Sequence, residues 1–409
     1  MQAVIEPTNI EAAKGKNEGW SPLRLAMIAA AAIYLHAVLW PFRPPDMAAW
    51  QVPWLEHLVH YGPIGAFAHP FSNYAPAYLY LLAAASLAHG LAAPMAIVKA
   101  LSVAGTAFLA LACADLLKSL GHSARGAMTV FLLPSAIFNA AYLGQCDALW
   151  VGACVLAVSS ILSRRTLAAA VWCGIAIAFK AQAAFLAPFI IGAMVGRRAP
   201  LWHWTVPALV FAASMIPARL AGWPAYDLLM VYPLQATHFD APGTLANPWI
   251  AATLFKPHGI QPWYLLGYVA AIAAAVGIAT TTAASVNNRR AMLTLAMLSA
   301  TAIPFLLPKM LERYYFLGDV LGLMLALSLR TRLAVLVALA IQTASMLSHW
   351  SYMFSPGWPL PSLFGAGAAA VAIVGTIVIA QREGAALPAR AVSAEPARLA
   401  APHPPGFAA

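Results

Sequence analysis

Leu143-Gly-Gln-Cys-Asp-Ala-Leu-Trp150 sets one aspartate between two strongly apolar stretches. Acids are scarce around it: the chain holds 13 Asp and Glu in 409 residues, is 62% hydrophobic and only 9% charged. With a mean hydropathy of +0.76, that composition excludes an ordinary soluble domain. An ionisable group at the centre of a membrane helix costs roughly 2.5–3.5 kcal/mol on insertion scales, so by default it marks function. Asp46, Lys180, Lys309, Glu312 and Arg313 also sit at the ends of apolar runs rather than in long polar loops. A polytopic membrane protein that gathers charge at one face of its helices reads as an enzyme or a transporter.

Thirteen apolar runs follow one another, at about 22–41, 75–93, 94–117, 126–143, 146–163, 166–179, 181–196, 202–221, 262–286, 291–307, 314–330, 333–347 and 362–381. Their lengths predict an all-α polytopic membrane protein. The first run is too long for a signal-peptide core and lacks a small-residue cleavage site, so it reads as a retained first helix. Residues 1–20 read as a disordered cytosolic N-terminus, 21–381 as one multi-span domain, and the Ala-, Pro- and Arg-rich 382–409 as a disordered cytosolic tail. The net charge of +10 comes from basic residues scattered in pairs between apolar runs. That is a topology signal and predicts no nucleic-acid partner. Cys113, Cys146, Cys154 and Cys173 lie in or beside apolar segments without CxxC spacing, which reads as core packing with neither disulfide nor zinc. Ala-rich helices, short loops and the lack of a disulfide framework suggest a bacterial inner membrane.

The positive-inside rule places Lys118, Arg125, Arg164, Arg165, Arg197, Arg198, Arg289, Arg290, Arg330, Arg332 and Arg382 in the cytosol. Two crossings must then separate successive basic loops. From 94–117 onward the runs satisfy this, with Asp147, Lys180 and Glu312 outside. If the N-terminus is also inside, run 75–93 is left over and reads as re-entrant or interface-lying, leaving about twelve spans. Arg43, Lys99, Lys180, Arg219, Lys256, Lys309 and Arg313 fall at the outer face, against the usual bias, and so call for anionic partners. The two longest loops, 42–74 and 222–261, are outer as well. Their Trp50, Trp54, Tyr61, Tyr74, Trp223, Tyr226 and Trp249 fit an aromatic belt and a substrate groove equally well.

Asp46 precedes a Trp- and Leu-rich segment, either as the N-cap of an interface helix or as a general base held at the membrane surface. His57 and His60, three residues apart, make a poor metal site on their own, and no metal is expected. Asn73 and Tyr74, ahead of Pro76, place a polar pair at the interface. Asp147, beside Gln145, fits a helix-terminal acid favoured by the dipole, and it also fits substrate work. Lys180 splits the apolar stretch from Leu167 to Gly196 into two half-length spans, with Gln182 just beyond it. It can snorkel to the interface, or bind a lipid phosphate as a mobile point charge. Leu307-Pro-Lys-Met-Leu-Glu-Arg-Tyr-Tyr-Phe316 is the densest cluster. There Arg313 can grip a phosphate through two parallel hydrogen bonds while Glu312 orients it, with Lys309 and Tyr314 alongside. A structural ion pair between Glu312 and a neighbouring cation is the other reading.

An acid after the first helix, Ser72-Asn-Tyr-x-Pro-x-Tyr-Leu-Tyr80, Gly144-Gln-x-Asp-Ala-Leu-Trp150, Phe179-Lys-x-Gln182, Leu245-x-Asn-Pro-Trp249 and Glu312-Arg-Tyr-Tyr-Phe316 occur in that order. As an ordered set spanning about residues 22–330, they resemble the GT-C superfamily of membrane glycosyltransferases, particularly bacterial relatives of the PIG-V-type mannosyltransferases. The resemblance implies a GT-C-like bundle with interface helices in the first outer loop. It implies inverting transfer of a sugar, mannose by expectation, from a polyprenyl-phosphate donor to a lipid, glycan or protein acceptor on the non-cytosolic face. Asp46 would be the base, Asp147 would support the acceptor or the catalytic geometry, and Lys180 and Arg313 would neutralise the donor phosphate. Asn73, Tyr74, Gln145, Gln182, Asn247, Lys309, Glu312 and Tyr314 are the further candidate substrate contacts. No cofactor is implied, because lipid monophosphate donors in this superfamily generally need no metal. Members often carry Lys-Pro-Gln where this chain has Ala181, and His before Glu-Arg where it has Leu311, which bears on donor and acceptor identity. The competing class is a transporter or lipid-carrier flippase using the same charges for coupling or substrate binding. That class usually shows internal repeats and midplane charges, and neither pattern is legible here.

Overall fold

A computed structural model describes residues 19–237, 243–255, 263–354 and 360–385. Over these the chain is helical, with isolated backbone bridges and no strand. The helices are α1 (Pro22–Leu39), α2 (Val52–Tyr61), α3 (Pro76–Ser86), α4 (Pro94–Ser119), α5 (Pro134–Ile137), α6 (Asp147–Leu162), α7 (Thr166–Phe179) and α8 (Ala187–Gly196). After these come α9 (Val206–Leu220), α10 (Ala225–Thr237), α11 (Pro248–Phe255), α12 (Tyr264–Ala284), α13 (Arg289–Leu306), α14 (Phe316–Leu329), α15 (Arg332–Phe354) and α16 (Leu360–Arg382). Proline sets several starts. Pro22, Pro76, Pro94 and Pro134 each open a helix, where a missing N–H leaves no bond unmade.

Helices α1, α4, α12, α15 and α16 are long and apolar enough to cross a membrane. Helices α3, α6, α7, α9 and α14, and the helical segment Ala181–Gly196, are apolar but only 10–17 residues long. Run 75–93 contains α3, eleven residues that stop at the turn around His89 and Ala92, too short to cross by itself. Run 126–143 is not one regular helix. Pro134 divides it into a 3-10 segment (Ala124–Leu132), α5 and a π-helical turn (Phe138–Tyr142). Irregular backbone of this kind is tolerated at membrane depth only where protein covers it, and Ala127, Val130, Ala136 and Ala141 are indeed buried.

Helix α6 lies at the centre, buried along nearly its whole length between α4 and α7, while α13 and α14 fill the other side of the core. Helices α1 and α12 are peripheral and present apolar side chains outward. One contact is unusually close. Gly192 and Gly196 of α8 face Ala279 and Ala283 of α12, and a Cβ at either glycine would stand on the opposing carbonyl. This is small-residue packing at four-residue spacing, the arrangement that lets membrane helices approach backbone to backbone.

Several sequence expectations change here. Lys99 has no anionic partner among the described residues; it is buried, and its Nζ donates to the carbonyls of Leu39 (3.3 Å), Trp40 (2.8 Å) and Phe42 (2.7 Å). It therefore satisfies the orphan carbonyls at the end of α1. Arg43 and Arg219 are exposed. Lys256 lies outside the described residues. The proposed disordered termini also lie outside them, except at their inner edges, which are ordered. Trp20 is buried beneath Arg24 and accepts a hydrogen bond from Arg125, and the Glu383 carboxylate lies 3.9 Å from Arg290.

Gly192→Val should force α8 and α12 apart and cost about 1–3 kcal/mol, as overpacking of a filled contact usually does. Thermal unfolding in detergent measures this, with Gly277→Val as the control, because a Cβ at Gly277 meets nothing within 4 Å. Equal losses in the two variants would remove the close contact from the account.

Candidate functional site

Chain breaks at the ends of short helices bring the charges together. The π-helical turn Phe138–Tyr142 leads into Gly144, whose φ of +62° turns the chain so that Asp147 opens α6. Helix α7 ends at Lys180, which is extended (φ −155°, ψ 140°) and swings its side chain back toward α6. The two meet with Lys180 Nζ 2.5 Å from Asp147 Oδ1. Asp147 also accepts from Asn139 Nδ2 (2.9 Å) and Trp150 Nε1 (2.9 Å), and Arg313 Nε lies 3.8 Å from its Oδ2. Three hydrogen bonds and a longer ion pair therefore surround this carboxylate. It is buried at the centre of the cluster.

Arg313 joins the remaining acids. Its Nη1 lies 2.6 Å from Glu312 Oε1 and 3.5 Å from Asp46 Oδ2. Glu312 is pinned from behind by Thr244, whose hydroxyl donates to Oε2 (2.5 Å) and accepts from the Glu312 amide (3.0 Å). Burial alone would raise the Glu312 carboxyl, but Arg313, His349 and the Thr244 hydroxyl outweigh it and hold it below the usual carboxylate range. Asp46 does not act as a side-chain cap: it sits in the first turn of the helical segment leading to α2, and its Oδ1 instead accepts from Tyr352 Oη (2.8 Å) on α15. Its side chain is 19% exposed against 3% for Asp147 and 1% for Glu312, which makes it the most accessible of the three acids.

Beside the cluster lies a cavity of about 360 Å³. Lys180, Lys309 and Arg313 all line it, and no carboxylate among the described residues does. The acids stand behind the cations. Lys309 has a left-handed backbone (φ +61°) and pairs with no carboxylate among the described residues. Asn73, Tyr74, Gln182 and Tyr314 complete the polar wall, with Gln182 donating to Tyr314 Oη (2.7 Å). Phe179, Phe185, Tyr232, Tyr268 and Met310 make the apolar wall. Lys180 Nζ stands 4.8 Å over the Tyr74 ring. Burial pushes the Tyr74 phenol up, so it remains a donor, and it bonds Gln145 Oε1 at 3.2 Å.

Two candidate contacts have other roles. Asn247 caps α11, its Oδ1 accepting from the Trp249 (3.1 Å) and Ile250 (3.4 Å) amides while its Nδ2 donates to Leu307 O (3.1 Å). Gln145 is buried and reaches the cavity only through Tyr74. The aromatic residues also divide: Trp54 packs on Tyr74 and Trp223 on Phe67 and Phe71, whereas Trp50, Tyr61 and Tyr226 are exposed. Tyr74 is the only one of the seven that lines the cavity. His57 packs on Tyr61 and Phe71, and no group of three metal-ligating side chains occurs among the described residues. Sequence reasoning missed Asn139, Thr244, Tyr352 and His349. Asn139 is a polar residue inside an apolar run and could have been flagged. Tyr352 and His349 lie beyond residue 347, where the apolar run was ended too early, whereas α15 continues to Phe354.

Comparison with protein-family models and with curated proteins finds no match to this chain.

Lys180→Met leaves Asp147 buried without its closest cation and should cost about 3–5 kcal/mol, while the double variant Asp147→Asn/Lys180→Met should recover most of that loss. Unfolding midpoints of the single and double variants in one detergent test this coupling. Additive losses would mean that the pair does not hold the site together.

Proposed function

We propose that the protein is an inverting glycosyltransferase that moves a sugar, mannose by expectation, from a polyprenyl-phosphate donor to a hydroxyl of a lipid, glycan or protein acceptor. The observation that carries this reading is the cavity, whose three cations face inward while all three carboxylates lie behind or beside them. Such a surface suits a singly charged phosphodiester with an apolar tail. The polar wall takes the phosphate, and Phe179, Phe185 and Met310 take the first isoprenoid units.

The chemistry then divides between two sides of Arg313. Asp46 accepts the proton of the acceptor hydroxyl as its oxygen bonds to the anomeric carbon. The anomeric C–O bond to phosphate breaks on the opposite face, and the lipid phosphate leaves with one more negative charge than it brought. Lys180, Lys309 and Arg313 stabilise that added charge, which is the larger electrostatic task. Asp147 and Glu312 position the cations, and Tyr352 orients Asp46. The shorter apolar helices would complete a GT-C-like bundle of about twelve crossings. The arginine pairs at the far ends of α6 and α8 would lie in the cytosol, so the cavity would open on the outer face of a bacterial inner membrane. No metal is required by this scheme.

Membranes containing the protein, given labelled polyprenyl-phosphate mannose, should transfer label to an acceptor. Asp46→Asn should lower that transfer by about 10²–10⁴-fold, the usual worth of a general base, at unchanged protein level. Lys309→Met should weaken donor use with little change in stability, because Lys309 makes no ion pair among the described residues. Transfer at the normal rate by Asp46→Asn would remove Asp46 from the chemistry.

A further inference from the structure

An open groove of about 660 Å³ lies far from the charge cluster, at the start of α7. Helix α6 leads away from Asp147 and α7 returns to Lys180, so this groove sits a full helix length, roughly 20 Å, from the cluster. Arg164, Arg165 and Thr166 form its rim with His203, and Leu167, Val171 and Trp172 continue it as an apolar wall.

Three features of the rim favour an anion. Helix α7 starts at the groove without a side-chain cap, which leaves the N–H groups of its first turn and the positive end of its dipole at the rim. Arg164 has a left-handed backbone (φ +60°), with its guanidinium held by the amide oxygen of Asn287 at 3.2 Å. Among the described residues Arg165 pairs with Asp115 alone, at 4.0 Å with both side chains about half exposed (58% and 45%), and Asp115 already takes the Ser159 hydroxyl at 2.6 Å. The same end of the bundle is crowded with like charge. Burial and then the neighbouring Arg164 and Arg289 depress the Arg197 guanidinium. The wall selects the kind of anion. Leu167 is exposed, and so are Leu201 and Trp202 beside His203, as expected of side chains at a bilayer interface. A soluble anion would leave that apolar wall in contact with water.

We infer that this groove binds an anionic glycerophospholipid, its phosphate between Arg164, Arg165 and the start of α7, and an acyl chain along Leu167, Val171 and Trp172. The site is independent of the transfer reaction, because none of these residues touches the charge cluster.

The full chain is reconstituted in nanodiscs of phosphatidylcholine, with or without phosphatidylglycerol. Unfolding midpoint and lipids retained in native mass spectrometry are the readouts. Phosphatidylglycerol should raise the midpoint and remain bound. Arg164→Gln/Arg165→Gln should weaken its retention by about tenfold or more, given the worth of two arginines near an anionic lipid. Arg332→Gln, an exposed cation elsewhere, should change nothing. The inference is overturned if phosphatidylglycerol has no effect, or if the Arg332 variant loses as much as the double variant. Inorganic phosphate reproducing the shift in pure phosphatidylcholine would also overturn it, as a simple anion site.

Discussion

A buried carboxylate must be matched by cations or it destabilises the protein that holds it, and Asp147 imposes that constraint on the whole bundle. Its oxygens draw in Lys180 from the end of α7, Arg313 from the link between α13 and α14, Asn139 from the π-helical turn and Trp150 from its own helix. Each partner arrives on a different element. The order of those elements around α6 therefore follows from one charge and the groups that compensate it. Such a cluster is weak as a source of stability, since desolvating the ions consumes most of what their attraction returns. Its worth lies in specifying where helix ends must meet.

The same constraint accounts for the irregular backbone. A straight helix through 126–143 would have no reason to turn Asn139 toward Asp147; a wide π-helical turn closes there instead. A second π-helical turn, Met47–Gln51, follows Asp46 directly. Both non-standard turns flank the charge cluster, the kind of position at which such turns recur in proteins. Regular elements farther away, notably the glycine-mediated contact of α8 with α12, provide the rigid frame.

Charge scarcity made much of the cluster legible in the sequence. In a chain with 13 acids, each polar interruption of an apolar run carries information, and that alone singled out Asp46, Asp147, Lys180, Glu312 and Arg313. Five helices of spanning length follow from the same hydropathy pattern; the expectation that run 75–93 does not fully cross comes instead from the spacing of the basic loops, and α3 within it is eleven residues long. Less legible was anything that depended on which way a polar group turns. Lys99 and Asn247 look like substrate-side residues until their backbone partners are known, because a cap and a ligand contact have the same composition. Asp319, inside run 314–330, was overlooked although it too interrupts an apolar run: its carboxyl is buried with Ser135 and Ser345 beside it, and it does not join the cluster. The Gly192–Gly196 pair was missed because glycine in an Ala-rich run carries no hydropathy contrast.

The placement of acids behind cations has a consequence for any ligand of the cavity. A lysine or arginine facing a cavity alone would be free to follow the ligand's charge as it moves, and water would reorganise with it. Here Asp147 and Glu312 hold Lys180 and Arg313 in place, at 2.5 and 2.6 Å. Their cost of ordering is met in folding, so under the proposed reaction the charge developing on a phosphate would meet donors already in place. Lys309 is the exception, with no carboxylate to hold it among the described residues and a flexible stem. Under the proposed reaction, two cations fixed by carboxylates and one without such a partner among the described residues would let the cavity hold a phosphate and still release it, because the contact to the untethered lysine is the easiest to break.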